Sequence, residues 1–225
     1  SDTYLSRLRL LADGFVEQSE SWIRTPPAID VALTPRREVS PVALRSVLDA
    51  IRDSGSIEVR YQSMNKSRPG PIWRRITPHA LGYDGFRWHA RAYCHLDNGF
   101  QDFLLPRIID ARLPGPSGAV ATDDVLWQTT FEVAIGPHPS LTPGQQEIVS
   151  KDYGMRDGRL RLKIRYAMLF YVLKRLGLLE DAKLKDSRHQ HIIVLNWKEA
   201  REALKRVGFE ADGPSPGEER NARAR

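Results

Sequence analysis

The sequence predicts an α+β fold, in which a small β-rich unit is followed by a larger unit of strands and helices. Residues 56–116 hold five short strand-like segments separated by tight turns. Such spacing favours a small five-stranded barrel, since closing the sheet removes its exposed edges. After a Pro- and Gly-rich linker at 114–118, strand-like and helix-like segments alternate. That alternation predicts a sheet with two helices on one face.

Two helices are expected before the barrel. Apolar residues recur at helical spacing over 3–23, and the proline-rich stretch 25–37 that follows excludes a regular helix. Ser40 and Pro41 form a helix start, with serine as the N-cap and proline at the first helical position. This second helix should end before Gly55.

The barrel strands follow from two-residue alternation and from turn residues. Asp84-Gly85 and Asp97-Asn98-Gly99 each lie between strand-like runs and predict hairpin turns. The predicted strands span residues 57–63, 73–82, 86–95, 100–105 and 108–113.

The second unit is predicted from its change of pattern. Its expected elements are strands at 125–135, 159–164 and 191–195, and helices at 143–153, 167–178 and 197–207. Residues 211–225 are rich in Gly, Pro, Glu and Arg and are expected to be disordered. The predicted domains are a helical linker and dimerisation segment at 1–55, the β-rich domain at 56–116, an α+β extension at 117–196, and a terminal helix with its tail at 197–225.

Composition limits the class of protein. Hydrophobic residues make up 41% and charged residues 28% of the 225 residues, as expected of a folded, soluble protein. No apolar run is long enough for a transmembrane helix, and no secretory signal is visible at Ser1. Cys94 is the only cysteine, which excludes an intramolecular disulfide and favours a cytoplasmic setting.

The excess of positive charge lies in the β-rich unit. The chain carries a net charge of +6, and residues 56–116 contain nine Lys/Arg against five acids. Eight of the nine are arginine, the side chain suited to bidentate binding of phosphate or carboxylate. A solvated basic surface explains the same composition, so an anion site needs further support.

The third predicted strand supplies some of that support. One of its faces carries Phe86, Trp88, Ala90, Ala92 and Cys94, and the other carries Arg87, His89, Arg91, Tyr93 and His95. Cationic and aromatic side chains on one face suit a nucleic acid or nucleotide, because arginine contacts phosphate while aromatic rings stack on bases. A solvent-facing strand surface remains the alternative.

Neighbouring segments repeat this chemistry. Arg75 and His79 lie on the second strand, and Tyr61 and Ser63 end the first. Arg107 follows two apolar residues at strand spacing, so it should be partly buried and should need a partner. That partner is Asp102 or Asp110 in a structural role, or an anionic ligand.

Motifs of enzymes and metal sites are missing from the sequence. There is no phosphate-binding glycine loop, no G-x-S-x-G and no H-E-x-x-H. His189 and His191 share a strand face without a nearby Cys or carboxylate pair, and Cys94 and His95 face opposite ways. We therefore expect no catalytic residue, no metal and no cofactor.

Several segments in the same order resemble a WYL domain. They are Ile57 to Ser63, Arg75 to Leu81, Gly85 to Cys94 and Asp102 to Ile108. The name-giving positions are Trp88, His89 and Ala90, so only the tryptophan is retained, and Gln101 stands where the family has arginine. These departures concern the ligand more than the fold.

Within that family the chain resembles the regulators of the CapW and BrxR type. Pro78 to Leu81, Ile135 to Pro139, Leu141 and Asp152 to Met155 resemble segments of that group, and the resemblance covers roughly residues 1–195. It implies an Sm-like or SH3-like WYL barrel followed by a dimerising extension. It also implies an N-terminal winged helix-turn-helix, which we expect to precede Ser1, because no intact helix-turn-helix is visible in the chain.

The resemblance implies a cytoplasmic homodimeric repressor of a phage-defence operon. Operator DNA would be bound through the winged helices, and a nucleic acid fragment or nucleotide would be sensed at the WYL domain. The ligand-binding residues expected from the matching positions are Tyr61, Ser63, Arg75, His79, Trp88, His89, Arg91, Tyr93 and Arg107. Trp88 has a competing role in the barrel core. A constitutive single-strand nucleic-acid binder and, more remotely, a nucleotide-processing enzyme are the alternative functions.

Overall fold

A computed structural model describes residues 37–181 and 185–209, together with positions 5, 6, 8, 10, 28 and 29. Backbone contacts divide the chain into two compact units, Ser1–Arg37 and Glu38–Arg225. The helix predicted over 3–23, the extended stretch over 25–37 and the tail over 211–225 lie almost wholly outside the described residues. All that follows concerns the second unit.

The second unit begins with helix α1, Pro41–Arg52, as the sequence predicts. The Ser40 hydroxyl accepts a hydrogen bond from the Ala43 N–H at 3.3 Å, which satisfies one of the free donors at the helix start. Ala43, Val47 and Ala50 form the buried face of α1. This face joins the core of the first sheet.

Five antiparallel strands form the first sheet. They are β1 Ser56–Tyr61, β2 Ile72–Tyr83, β3 Trp88–Cys94, β4 Gly99–Leu104 and β5 Ile108–Gly115. The five predicted strands are confirmed, and the strand order is β4-β3-β2-β1-β5. The predicted barrel is not closed by hydrogen bonds, because β4 and β5 are the two edge strands of the sheet and do not pair with each other.

The sheet nevertheless curls. A register shift between Pro78 and Ala80 marks an irregularity in β2, and such bulges bend a strand. The phenol oxygen of Tyr61 in β1 accepts a hydrogen bond from the Leu104 N–H in β4 at 3.3 Å. Contact between strands that are not neighbours in the ladder requires a curved sheet. A 3₁₀ turn, Leu105–Arg107, follows β4.

The concave side of this sheet encloses an apolar core. Val59, Ile76 and Phe103 are among its most deeply buried members. Ala90, Ala92 and Cys94 of β3 also belong to it, as their predicted shared face requires.

The second half of the chain forms a three-stranded antiparallel sheet with helices. Its strands are β6 Thr130–Pro137, β7 Leu160–Arg165 and β8 Ile192–Val194, in the order β7-β6-β8. Its helices are α2 Val125–Gln128, α3 Pro143–Asp152, α4 Tyr166–Arg175 and α5 Trp197–Arg206. Three of them, α3, α4 and α5, contribute to one core with the sheet. All three helices were predicted, but only the first two were expected to pack on the sheet.

The strand predicted over 125–135 is wrong for its first four residues. Val125–Gln128 is a short helix, because the Asp124 carboxylate caps it by accepting from the Trp127 N–H at 3.2 Å. The strand begins only at Thr130.

Candidate functional site

Two side chains on the face of β3 that was expected to bind a ligand are buried. His89 and Arg91 are 3% and 2% exposed. The alternative of a solvated surface is therefore wrong at these two positions. A buried guanidinium requires compensating charge, and the structure supplies it within the chain.

Arg91 makes a bidentate ion pair with Asp124. Its Nε and Nη2 donate to the two carboxylate oxygens at 2.6 and 2.9 Å. Its Nη1 donates to Asp102 at 3.2 Å. Burial lowers the pKa of Arg91, but hydrogen bonding and the negative charges of Asp124 and Asp102 outweigh burial and raise it above its ordinary value. All three polar nitrogens of Arg91 thus have carboxylate partners.

Asp124 is held by four donors. Besides Arg91 and the Trp127 N–H, it is bonded by Nε2 of His79 at 3.0 Å. Burial raises the pKa of Asp124, but the hydrogen bonds from His79 and Arg91 and the Arg91 charge hold it well below the usual range of a carboxyl group. The group is therefore a carboxylate at neutral pH.

These contacts join the first sheet to the second half of the chain. Asp102 of β4 also accepts a hydrogen bond from the Tyr171 hydroxyl of α4 at 3.0 Å. The His79 ring lies edge-on to Phe100 and to Trp127 of α2, with centroids 5.6 and 5.9 Å away. Three side chains of the first sheet, His79, Arg91 and Asp102, thus form an internal bridge to Asp124, which caps α2, and to helix α4.

Only one of the two ring nitrogens of His89 has a hydrogen-bond partner among the described residues. Its Nε2 lies 3.1 Å from Oδ2 of Asp84, and its ring lies 4.7 Å from that of Tyr171. Its Nδ1 is buried without a hydrogen-bond partner among the described residues.

Two more predicted residues also have partners within the chain. Arg75 donates to the Ser56 hydroxyl at 3.0 Å and lies 3.5 Å from a carboxylate oxygen of Glu58. The Tyr93 ring packs edge-on against His95 and Phe100, with centroids 5.2 and 5.3 Å away.

Trp88 is exposed. It is 48% accessible and lies beside Tyr83, with ring centroids 4.8 Å apart. Its competing assignment to the barrel core is therefore wrong. The inward side chains of β3 begin only at Ala90.

The remaining predicted residues lie around the end of β1. Burial raises the pKa of the buried Tyr61 phenol, against the opposing effect of the nearby cations Arg107 and Arg74. Arg107 is half-buried, and no carboxylate of the described residues lies within ion-pair distance of it, so neither Asp102 nor Asp110 is its partner. Ser63 follows β1 in a loop, where its hydroxyl accepts from the Asn65 N–H at 3.1 Å.

Arg74 was not predicted as a site residue but lies in this group. It is 5% exposed, and its guanidinium carbon is 5.4 Å from the centroid of the Tyr61 ring. Its Nη1 is a long 3.5 Å from Asp97, and its Nε and Nη2 have no hydrogen-bond partner among the described residues. Asp97 is already held by Arg68 at 2.5 Å and by Gln101 at 2.9 Å.

Ion pairing separates the basic residues of this unit into two classes. Six of the nine Lys/Arg of residues 56–116 have a carboxylate partner: Arg68, Arg74, Arg75, Arg87, Arg91 and Arg112. The other three, within the described part of the chain, are Arg60, Lys66 and Arg107, of which only Arg107 is shielded from solvent.

The contacts bring most of the nine predicted residues into two groups. His79, Arg91 and Tyr93 are connected through Asp124 and Phe100, whereas Tyr61 lies beside Arg107. Sequence reasoning missed Asp124, Asp84 and Tyr171 as partners. Asp124 left a local signal as an N-cap residue before Val125, and Asp84 left one as a turn residue, but neither signal reveals the partner.

Neither a metal centre nor a membrane span emerges. No group of three or more His, Cys, Asp or Glu among the described residues could hold a metal ion. No helix in the part of the chain that the structure describes is both long and apolar enough to cross a membrane.

Two known protein families match the two parts of this architecture. Residues 36–113 match the family model of the WYL domain, and residues 130–200 match that of the BrxR transcriptional regulator, C-terminal dimerization domain. The DNA-binding transcriptional repressor CapW of Stenotrophomonas maltophilia is 41% identical over 90% of this chain and 67% of its own length. The chain belongs to the CapW family of WYL-domain proteins.

Other CapW relatives match a shorter part. The repressors of Escherichia coli and Pseudomonas aeruginosa are each 40% identical over 67% of this chain, which spans 50% of their length. Among solved structures, the proteasome accessory factor B/C (PafBC) of Arthrobacter aurescens aligns over 76% of this chain and 27% of its own, at 19% identity and a TM-score of 0.33. This structural similarity is too weak to support a conclusion about the chain.

Proposed function

We propose that this chain is the ligand-sensing and dimerising part of a bacterial transcriptional repressor. The observation that carries the proposal is the succession of a WYL domain and a BrxR-type dimerization domain in a chain 41% identical to a CapW repressor. The relatives are named as repressors, and no catalytic step is part of the proposal.

The proposed ligand is anionic, namely a nucleic acid fragment or nucleotide. Arg107 supports this proposal because it is half-buried, lies near the Tyr61 phenol and has no carboxylate partner in the described part of the chain. A partly buried guanidinium without a carboxylate partner favours phosphate, which it binds through charge-assisted hydrogen bonds. Arg74 adds a second cation with two unpaired donors. Arg91, by contrast, is neutralised within the chain and is better explained as a structural residue.

The proposed switch acts on a cytoplasmic homodimer that controls a phage-defence operon. The repressor binds operator DNA, and ligand binding changes the dimer geometry through the bridge from β3 to α2 and α4. A ligand shifts such an equilibrium almost completely only if it binds one geometry about 5.5 kcal/mol more tightly than the other.

The test is binding of a 5′-phosphorylated, fluorescein-labelled tetrathymidylate, followed by fluorescence anisotropy. We expect Arg107→Ala to weaken binding at least about tenfold, because a hydrogen bond to a charged group contributes about 1.5–3 kcal/mol. Arg60→Ala is the matched control, since it removes the same charge from an exposed arginine without a carboxylate partner among the described residues. Equal affinity of both variants and the wild type would overturn the assignment of Arg107.

The same titration distinguishes the ligand sensor from the alternative function, a constitutive binder of single-stranded nucleic acid. A steep salt dependence that continues to grow with oligonucleotide length, with no effect on the dimer, favours that alternative. Saturable binding of the tetranucleotide with a change of dimer geometry favours the sensor.

A further inference from the structure

The hairpin between β2 and β3 exposes three aromatic side chains. Tyr83, Phe86 and Trp88 are 49%, 60% and 48% exposed. Tyr83 and Trp88 are a cross-strand pair, whose rings are tilted by 31° at a centroid separation of 4.8 Å. Clustered exposed aromatic surface adds little to folding and is typical of interaction sites.

This hairpin is rigid. The buried Asp84 carboxylate accepts from the N–H groups of Phe86 and Arg87 at 2.8 and 2.7 Å, and from Nε of Arg87 at 2.8 Å. His89 adds a fourth donor at 3.1 Å. The Tyr83 hydroxyl donates to the Gly85 carbonyl at 2.9 Å and so fixes its own ring. The aromatic side chains are therefore presented by a backbone that is ordered before any partner arrives, which lowers the entropy cost of binding.

A cation without a carboxylate partner lies beside the hairpin. Arg175, exposed at the end of α4, approaches Gly85 so closely that a Cβ added there would lie 2.5 Å from its Nη1. Gly85 has no side chain, which permits this approach, and its φ of +96° also favours glycine at this turn. No carboxylate of the described residues is within ion-pair distance of Arg175, and the charge of Asp84 is engaged by Arg87.

We propose that this aromatic tip, Tyr83, Phe86 and Trp88 together with Arg175, is a stacking site for unpaired bases of a single-stranded nucleic acid. Exposed rings next to a free guanidinium match a base next to its phosphate, because the base stacks while the cation holds the anion. A duplex does not offer its base faces, so the site selects single strands. It shares the class of ligand with the proposed function but uses none of the Arg107 group, so the two proposals can fail separately.

The test compares a labelled decathymidylate with an abasic strand of the same length, which keeps the phosphates and lacks the bases. With the full 225-residue chain, we expect Trp88→Ala to weaken decathymidylate binding at least about fivefold, since one stacked base contributes about 1–3 kcal/mol. Its binding of the abasic strand should be unchanged. Tyr153→Ala, which removes another exposed aromatic ring, is the matched control and should bind as the wild type.

Arg175→Ala should weaken both strands and reduce the slope of log K against log salt by about 0.7, the value for one phosphate contact on a single strand. Arg201→Ala, another exposed helix arginine, is its control. If Trp88→Ala does not fold, Phe86→Ala tests stacking at the most exposed of the three rings. The proposal is overturned if both aromatic variants bind decathymidylate like the wild type, or if the abasic strand binds the wild type equally well. A change of oligomeric state in these variants without a change in strand binding would assign the tip to protein contacts and also overturn it.

Discussion

Replacing Arg91 by methionine should reduce the stability of this protein far more than its affinity for an anionic ligand. The side chains of Arg91 and Asp124 are almost fully buried, and their bidentate bond is the shortest carboxylate contact of the bridge. Methionine is close in length and removes only the guanidinium. Asp124 then keeps the bonds from His79 and the Trp127 N–H but loses its only permanently charged partner.

The magnitude follows from what remains buried. Removing one partner of a buried ion pair costs about 3–5 kcal/mol, because the other charge stays desolvated and uncompensated. For a protein of this size each kcal/mol lowers the melting temperature by about 2–4 °C, so Tm should fall by about 6–20 °C.

The assay is urea unfolding followed by circular dichroism, at one fixed protomer concentration. Arg112→Met is the matched control, because Arg112 pairs with Glu58 at 3.1 Å but its side chain is half exposed, and such pairs contribute about 0–1 kcal/mol. The double variant Arg91→Met/Asp124→Asn removes both charges and keeps an N-cap on α2. Its loss of stability should be smaller than the sum of the two single losses by about 0.5–3 kcal/mol.

A loss of less than about 1 kcal/mol in Arg91→Met, equal to that in Arg112→Met, would refute this reasoning. The Arg91–Asp124 pair would then not be the buried bridge described above, and Arg91 would again be available for an anion.

Three smaller predictions concern single contacts. Hydrogen bonds from Arg87, His89 and two N–H groups outweigh burial and lower the pKa of Asp84 from 3.8 to about 2, so its contribution to stability is present above about pH 4 and is lost as the pH falls towards 2. Urea unfolding across this range should show a smaller pH dependence in Asp84→Asn, and an unchanged one would contradict the prediction. Ser40→Ala should cost about 1 kcal/mol through loss of the α1 cap, whereas Ser40→Asn should cost much less, in the same unfolding assay. Tyr171→Phe removes the hydroxyl bonded to Asp102 and should cost about 0.5–1.5 kcal/mol in thermal unfolding, and a more stable variant would exclude that bond.

The fold was largely predictable because its signals are local. Ser40-Pro41 marks a helix start within two residues, and the alternation in β3 separates Ala90 and Ala92 from Arg91 in a single strand. The hairpin turn at Asp84-Gly85 is likewise encoded by neighbouring residues. Such features need no knowledge of the rest of the chain.

The site was less predictable because its partners are distant in sequence. The acid that neutralises Arg91 lies 33 residues away, in a segment interpreted as the approach to a strand. Alternation predicts which side chains share a face, but it does not reveal that a second layer covers that face. It also fails at the hairpin tip, where Trp88 belongs to the apolar series by spacing yet lies beyond the edge of the core.

The central claim, that this chain is a dimeric sensor of an anionic ligand, is tested most directly by small-angle X-ray scattering with and without saturating 5′-phosphorylated tetrathymidylate. We predict a dimer in both states and a ligand-dependent change in the radius of gyration, which Arg60→Ala retains and Arg107→Ala abolishes at the same ligand concentration. A monomer, or a dimer whose scattering stays unchanged while the ligand is bound, would contradict the claim.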